Sequence, residues 1–138
     1  MQAYKNTRLI LALLLVVAIP AWAATHTVMV GQNSQGAPAF AYNPSTLAIT
    51  VGDTVTFTNN SGGLHNVHST GGPTAFQCSV DCVSNNAPNT SAWSDVVTFG
   101  TVGTVTYECD QHGQTFGMTG SITVQALTPV KLQSFDVK

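Results

Sequence analysis

Cys109, His112 and Met118 fall within ten residues near the end of the chain, in Cys109-Asp-Gln-His112-Gly-Gln-Thr-Phe-Gly-Met118. A thiolate, an imidazole and a thioether thus share one short loop. A second imidazole, His65, lies far upstream in a turn rich in Gly and Asn. Two imidazoles and a thiolate in a trigonal set, with a long axial thioether, form the donor set of a blue-copper electron-transfer centre. Soft sulfur favours the reduced ion, and imidazole accepts both oxidation states. The thiolate is the form that ligates, and metal binding itself removes the proton. The expected metal ligands are therefore His65, Cys109, His112 and Met118, around one copper ion. His112, on the loop, is the candidate for the edge nearest solvent.

Other chemistries fit these residues less well. A Cys/His pair can serve a thiol protease, but that needs an exposed thiolate, an oriented base and an oxyanion hole. Cys109 ends an alternating run that points it inward, and no group to orient a base is evident. Cys/His/His with water could hold hydrolytic zinc, but a thioether suits zinc poorly. Paired carboxylates and phosphate loops are absent, so no enzyme activity is expected. His68 sits three residues after His65, facing the other side of a strand, and is expected to be exposed. His26 would stand third in a chain beginning at Ala24, where amino, amide and imidazole nitrogens can bind Cu(II).

The elements that must position these donors are strands. After residue 24 no stretch repeats apolar residues at three-and-four spacing; period-two runs recur between Gly, Pro and Asn. His26 to Val30 is a first strand, and 31–44 reads as a loop. Leu47, Ile49 and Val51 share a face, Gly52-Asp53 reads as a hairpin turn, and Val55 and Phe57 return. A short strand follows His65, and 70–91 is irregular. Ser94 to Phe99, Thr104 to Cys109 and Gly120 to Gln125 complete about seven strands, a β-sandwich or small barrel. Val105, Tyr107 and Cys109 share parity.

Lys5 and Arg8, the apolar run Leu9 to Ile19, Pro20 and Ala21-Trp22-Ala23 make the three-part pattern of a secretory signal. The expected organisation is a signal peptide at 1–23, one domain at 24–126 and a C-terminal extension at 127–138. The chain then works in the periplasm or outside the cell. The whole sequence carries a net charge of −2. Beyond residue 23 only Lys131 and Lys138 remain against six carboxylates, so no basic patch invites nucleic acid. There are three cysteines. In an oxidising compartment Cys78 and Cys82 can pair locally as the staple of the long irregular segment. Cys109 is left over and needs a role, which metal ligation supplies; an inert buried thiol or an intermolecular disulfide is the alternative.

The chain resembles the cupredoxin family, in its plastocyanin-like and pseudoazurin-like branch. The resemblance is carried by 43–59, beginning Asn43-Pro44 and containing Val51-Gly52-Asp53, by His65-Asn66-Val67, by Thr106-Tyr107-Glu108-Cys109-Asp-Gln-His112, by Gly117-Met118, and by Gly120-Ser-Ile122-Thr-Val124. It covers nearly all of residues 26 to 125. It implies an all-β, Greek-key β-sandwich of about seven to eight strands with copper at one end. It implies His65, Cys109 and His112 as equatorial ligands and Met118 as the axial one. It also implies that Asn66 ties the two ligand loops together through hydrogen bonds. The Cys78/Cys82 stretch is similar to an inserted loop of exported bacterial members. Five residues separate His112 from Met118, about one more than plastocyanin-like members have, and Gln114 is a rival axial donor. The function implied is one-electron carriage between redox partner proteins by a monomer that takes no small-molecule substrate. Periplasmic copper storage or delivery is the alternative.

Overall fold

The computed structural model describes residues 22–82 and 87–128. The expected signal peptide as far as residue 21, the expected extension from residue 129 and residues 83–86 lie outside the described residues.

Alternating apolar residues build two facing sheets. In β1 (Thr25–Gln32) Val28 and Val30 turn inward, and in β4 (Thr54–Asn59) Val55 and Phe57 do the same. These strands run in parallel, with Thr25 beside Thr54 and Val30 beside Asn59. They are flanked by β2 (Pro38–Asn43) and β7 (Trp93–Thr98), giving the order β2-β1-β4-β7. The second sheet has the order β3-β9-β8-β5-β6. It contains β3 (Thr46–Thr50), β5 (Val67–Gly71), β6 (Gln77–Cys78), β8 (Gly103–Glu108) and β9 (Thr119–Gln125). Among the described residues, nine strands thus form the expected all-β sandwich. Its core includes Val28, Phe57, Phe99, Val105, Tyr107, Ile122 and Val124. Each such side chain contributes about 1.5–3 kcal/mol when buried.

Three details differ from the sequence reading. Residues 31–44 are not all loop: β2 pairs antiparallel with β1, Tyr42 opposite Val30. Ala, Phe and Tyr alternate there, but the short run is masked by its Gly- and Pro-containing flanks. Gly52-Asp53 does not close a hairpin, because β3 and β4 belong to opposite sheets. Gly52 supplies a positive φ of 97°, and the chain crosses between the layers. The irregular 70–91 segment holds the two-residue β6, which pairs with β5. The Cys78–Cys82 disulfide staples this segment, and Cys109 is the free, buried cysteine among the described residues.

Candidate metal centre

Two loops at one end of the sandwich deliver the donors. The first follows β4. Asn59 organises it, its Nδ2 donating to the carbonyls of Gly63 (3.1 Å) and Asn89 (3.3 Å). His65 then bridges to Asn89 through backbone bonds in both directions, at 3.2 and 3.0 Å. The His65 ring lies against the backbones of Gly31 and Gly63. A Cβ at either position would run into the imidazole. This slot, walled by two residues without side chains, sets the ring so that Nδ1 faces the centre.

The second loop follows β8. Strand alternation carries Val105, Tyr107 and Cys109 inward, and Cys109 is fully buried. Its carbonyl accepts the N–H groups of His112 (3.1 Å) and Gly113 (2.7 Å). One helical turn, α1 (Gly113–Phe116), follows and ends at Gly117, whose φ of 70° is left-handed. That turn takes up the long His112–Met118 spacing and swings Met118 back into the core. The Cys109 N–H donates to the Met118 carbonyl at 3.1 Å, closing the loop.

The three polar donors meet. Cys109 Sγ lies 3.9 Å from His65 Nδ1 and 3.6 Å from His112 Nδ1, and the two Nδ1 atoms are 3.2 Å apart. A point equidistant from all three is about 2.1 Å from each, within the range of first-row metal–imidazole bonds. Burial, and next the neighbouring His112, push His65 down to about 4; burial also lowers His112. Both imidazoles are therefore neutral near pH 7, as metal ligation requires. His65 is 3 % exposed and His112 9 %, so His112 does present the outer edge.

Residues 27–125 match the family model of copper-binding proteins of the plastocyanin/azurin family. The chain belongs to that family. It is 36 % identical over 103 residues to plastocyanin of Scenedesmus fuscus, covering 72 % of this chain and 98 % of that one. It is 40 % identical over 121 residues to plastocyanin of Prochlorothrix hollandica, covering 85 % and 86 %. Pseudoazurin from Hyphomicrobium denitrificans shares the fold, with a TM-score of 0.54, 20 % identity and coverage of 73 % and 75 %. A mutant plastocyanin of fern gives a TM-score of 0.51, 25 % identity and coverage of 72 % and 99 %. Copper is accordingly the metal of this plastocyanin/azurin family member, and the donor set suits it.

The remaining expected residues fall as follows. Met118 is fully buried beneath the loop. Gln114 is exposed, and its amide donates to the Glu108 carboxylate at 3.2 and 3.4 Å. Asn66 joins the two loops: its Nδ2 donates to Asp110 Oδ2 at 2.6 Å, and its Oδ1 accepts the Asp110 N–H at 2.9 Å. Tyr42 donates to the Asn66 carbonyl at 2.7 Å. His68 is partly exposed, as its parity implies, and contacts Asp110 Oδ1 at 2.8 Å. Burial pushes the Asp110 carboxyl up, but hydrogen bonds from His68, Asn66 and Gln77 outweigh it and hold it below the usual carboxylate range.

Five contributors escape sequence reasoning. Gly31 and Gly63 wall the His65 slot. Phe40 stacks on His112 with ring centroids 4.3 Å apart, and Phe116 lies 4.4 Å from Phe40. Asp110 is flagged only by its place beside Cys109, and the glycines and Phe40 carry no local signal.

Proposed function

We propose that this protein is an exported one-electron carrier with a single type 1 copper centre. His65 Nδ1, Cys109 Sγ and His112 Nδ1 are its equatorial donors and Met118 its axial one. The observation that carries this reading is the buried Sγ–Nδ1–Nδ1 triangle, assembled from loops 44 residues apart. Bound copper supplies a one-electron exchange between Cu(I) and Cu(II). The protein's part is to hold the donors in nearly one geometry for both states. The glycine slot holds His65, the Asn66–Asp110 bonds hold one loop to the other, and the helical turn holds Met118 underneath.

Burial of Cys109 keeps water from the sulfur, while the His112 edge brings the centre close to the surface. Phe40 (48 % exposed) and Phe116 (56 %) lie against His112 and give that edge an apolar rim suited to brief contact with redox partner proteins. A docking face of this kind needs little area, as expected of transient electron-transfer encounters.

Optical and paramagnetic-resonance spectra of the copper-loaded protein test the assignment. An intense thiolate-to-copper band is expected in the oxidised state, and a colourless Cu(II) form overturns the reading. Copper held through repeated oxidation and reduction against a competing chelator marks a carrier; copper surrendered to the chelator marks storage or delivery.

A further inference from the structure

Asp53 takes no part in the metal centre. It stands at the opposite pole, because β1 and β4 run side by side from Thr25 and Thr54 toward the His65 loop. Five strand steps separate the poles by roughly 17 Å. Asp53 is only 5 % exposed, yet its carboxylate takes three donors. Thr50 N–H reaches Oδ2 at 2.9 Å, a local bond of the crossover turn. The other two come from far upstream: Ala24 N–H reaches Oδ1 at 2.8 Å and His26 Nε2 lies 3.0 Å from Oδ2. Ala24 is held from its other side as well, its carbonyl accepting the Thr54 N–H at 2.9 Å. The residue that follows the expected leader is therefore docked before β1 begins.

We propose that Asp53 is the receptor for the α-ammonium of Ala24, exposed when residues 1–23 are removed, and that this docking closes the Ala24-Thr25-His26 terminus to Cu(II). The inference rests on reading 1–23 as a leader. Hydrolysis of the Ala23–Ala24 peptide bond consumes one water, leaves a carboxylate on Ala23 and places an amine, protonated at neutral pH, on Ala24. The nitrogen already sits on Oδ1, so the ion pair forms without rearrangement. A charge-assisted bond there is about twice as strong as the amide bond it replaces. Hydrogen bonds from Thr50 and then Ala24 already hold the Asp53 carboxyl below its usual range, so it is ionised when the ammonium arrives. His26 is the titratable side chain in contact with it among the described residues; all four lysines and arginines of the chain lie outside them.

The same contacts disarm a metal site. A terminal Cu(II) site needs a free amine, two backbone amides and the third-residue imidazole in one square plane. Here the amine belongs to Asp53, and the same carboxylate fixes the His26 ring in place through Nε2. Residues 25 and 26 are extended in β1 beside Thr54 and Val55, so their amides cannot wrap around an ion. The carboxylate keeps a second, unwanted copper from a protein whose centre lies at the other end.

The test uses the exported protein. Its intact mass is expected to correspond to a chain that begins at Ala24. Acylation of the α-amine near neutral pH is expected to be at least about tenfold slower than in Asp53→Asn, because each unit of raised amine pKa removes tenfold of the reactive free base. Cu(II) beyond one equivalent is expected to give no square-planar resonance signal in the parent and a new one in Asp53→Asn. A variant with Gly-Ser inserted between Ala23 and Ala24 keeps Asp53 but moves the amine away, and it is expected to acylate fast. Should Asp53→Asn fail to fold by circular dichroism, the insertion carries the comparison. A first residue other than Ala24 overturns the leader reading and the proposal together. A chain beginning at Ala24 whose amine reacts as fast as in the variants overturns the proposal alone.

Discussion

Met118 and Gln114 lie six and two positions beyond His112, but they face opposite environments. Met118 is sealed under the loop, while Gln114 is turned outward onto Glu108. An axial donor tunes the reduction potential. Met118→Leu is therefore expected to shift the potential of the copper-loaded protein, measured by voltammetry, while keeping the thiolate band. Gln114→Ala should change neither; a potential shift in that variant would reverse the assignment. The His65 slot makes a second prediction at this scale. Gly31→Ala places a Cβ against the imidazole at a φ of 74°. Left-handed backbone costs an L-residue about 1–2 kcal/mol, and displacement of the ring adds to it. Denaturant unfolding of the metal-free variant should show at least that loss, and the copper spectrum should change with it. A variant with unaltered stability and colour would mean that the ring has room the structure does not show.

Elements hold the donors by ties between segments rather than by long strands. The Cys78–Cys82 disulfide closes a very short loop next to β6, for which the loop-entropy relation gives about 2 kcal/mol. The double variant Cys78→Ala, Cys82→Ala should lose about that much in chemical denaturation and keep its copper band, because the bridge touches no donor. Asp53 ties β1 to the crossover turn. Its folded-state pKa lies below the usual carboxylate value, held there first by Thr50 and then by Ala24. The unfolded chain therefore binds the proton more readily, and stability is lost as pH falls. The stability advantage of the parent over Asp53→Asn should be full above about pH 5 and fade below about pH 4. Unfolding curves across that range check it, and an advantage that grew on acidification would contradict the assigned sign.

For the molecule as a whole, the sandwich separates two tasks by its length. One pole carries the donors and an apolar rim; the other docks the start of β1. The rim of Phe40 and Phe116 exposes apolar rings beside the His112 edge. Phe116→Lys adds a charge that must be desolvated on contact. It should slow electron exchange between copies of the protein by about tenfold, a cost of about 1.4 kcal/mol, with the copper spectrum unchanged. Exchange as fast as in the parent would move the contact face elsewhere.

The kinds of donor, and the face each strand presents, were determined by the sequence alone. A thiolate, two imidazoles and a thioether define the chemistry by type, and period-two alternation aims Val105, Tyr107 and Cys109 inward without knowledge of the partner strand. Which strands pair was decided only by the tertiary structure. Parity states a face but not a neighbour, so the pairing of β2 with β1 and the crossing at Gly52-Asp53 were not legible. For the same reason nothing local placed Phe40 over His112, closed Gly31 and Gly63 around His65, or brought Ala24 to Asp53. Those contacts join residues far apart along the chain, and they exist only once two sheets have closed on a common core.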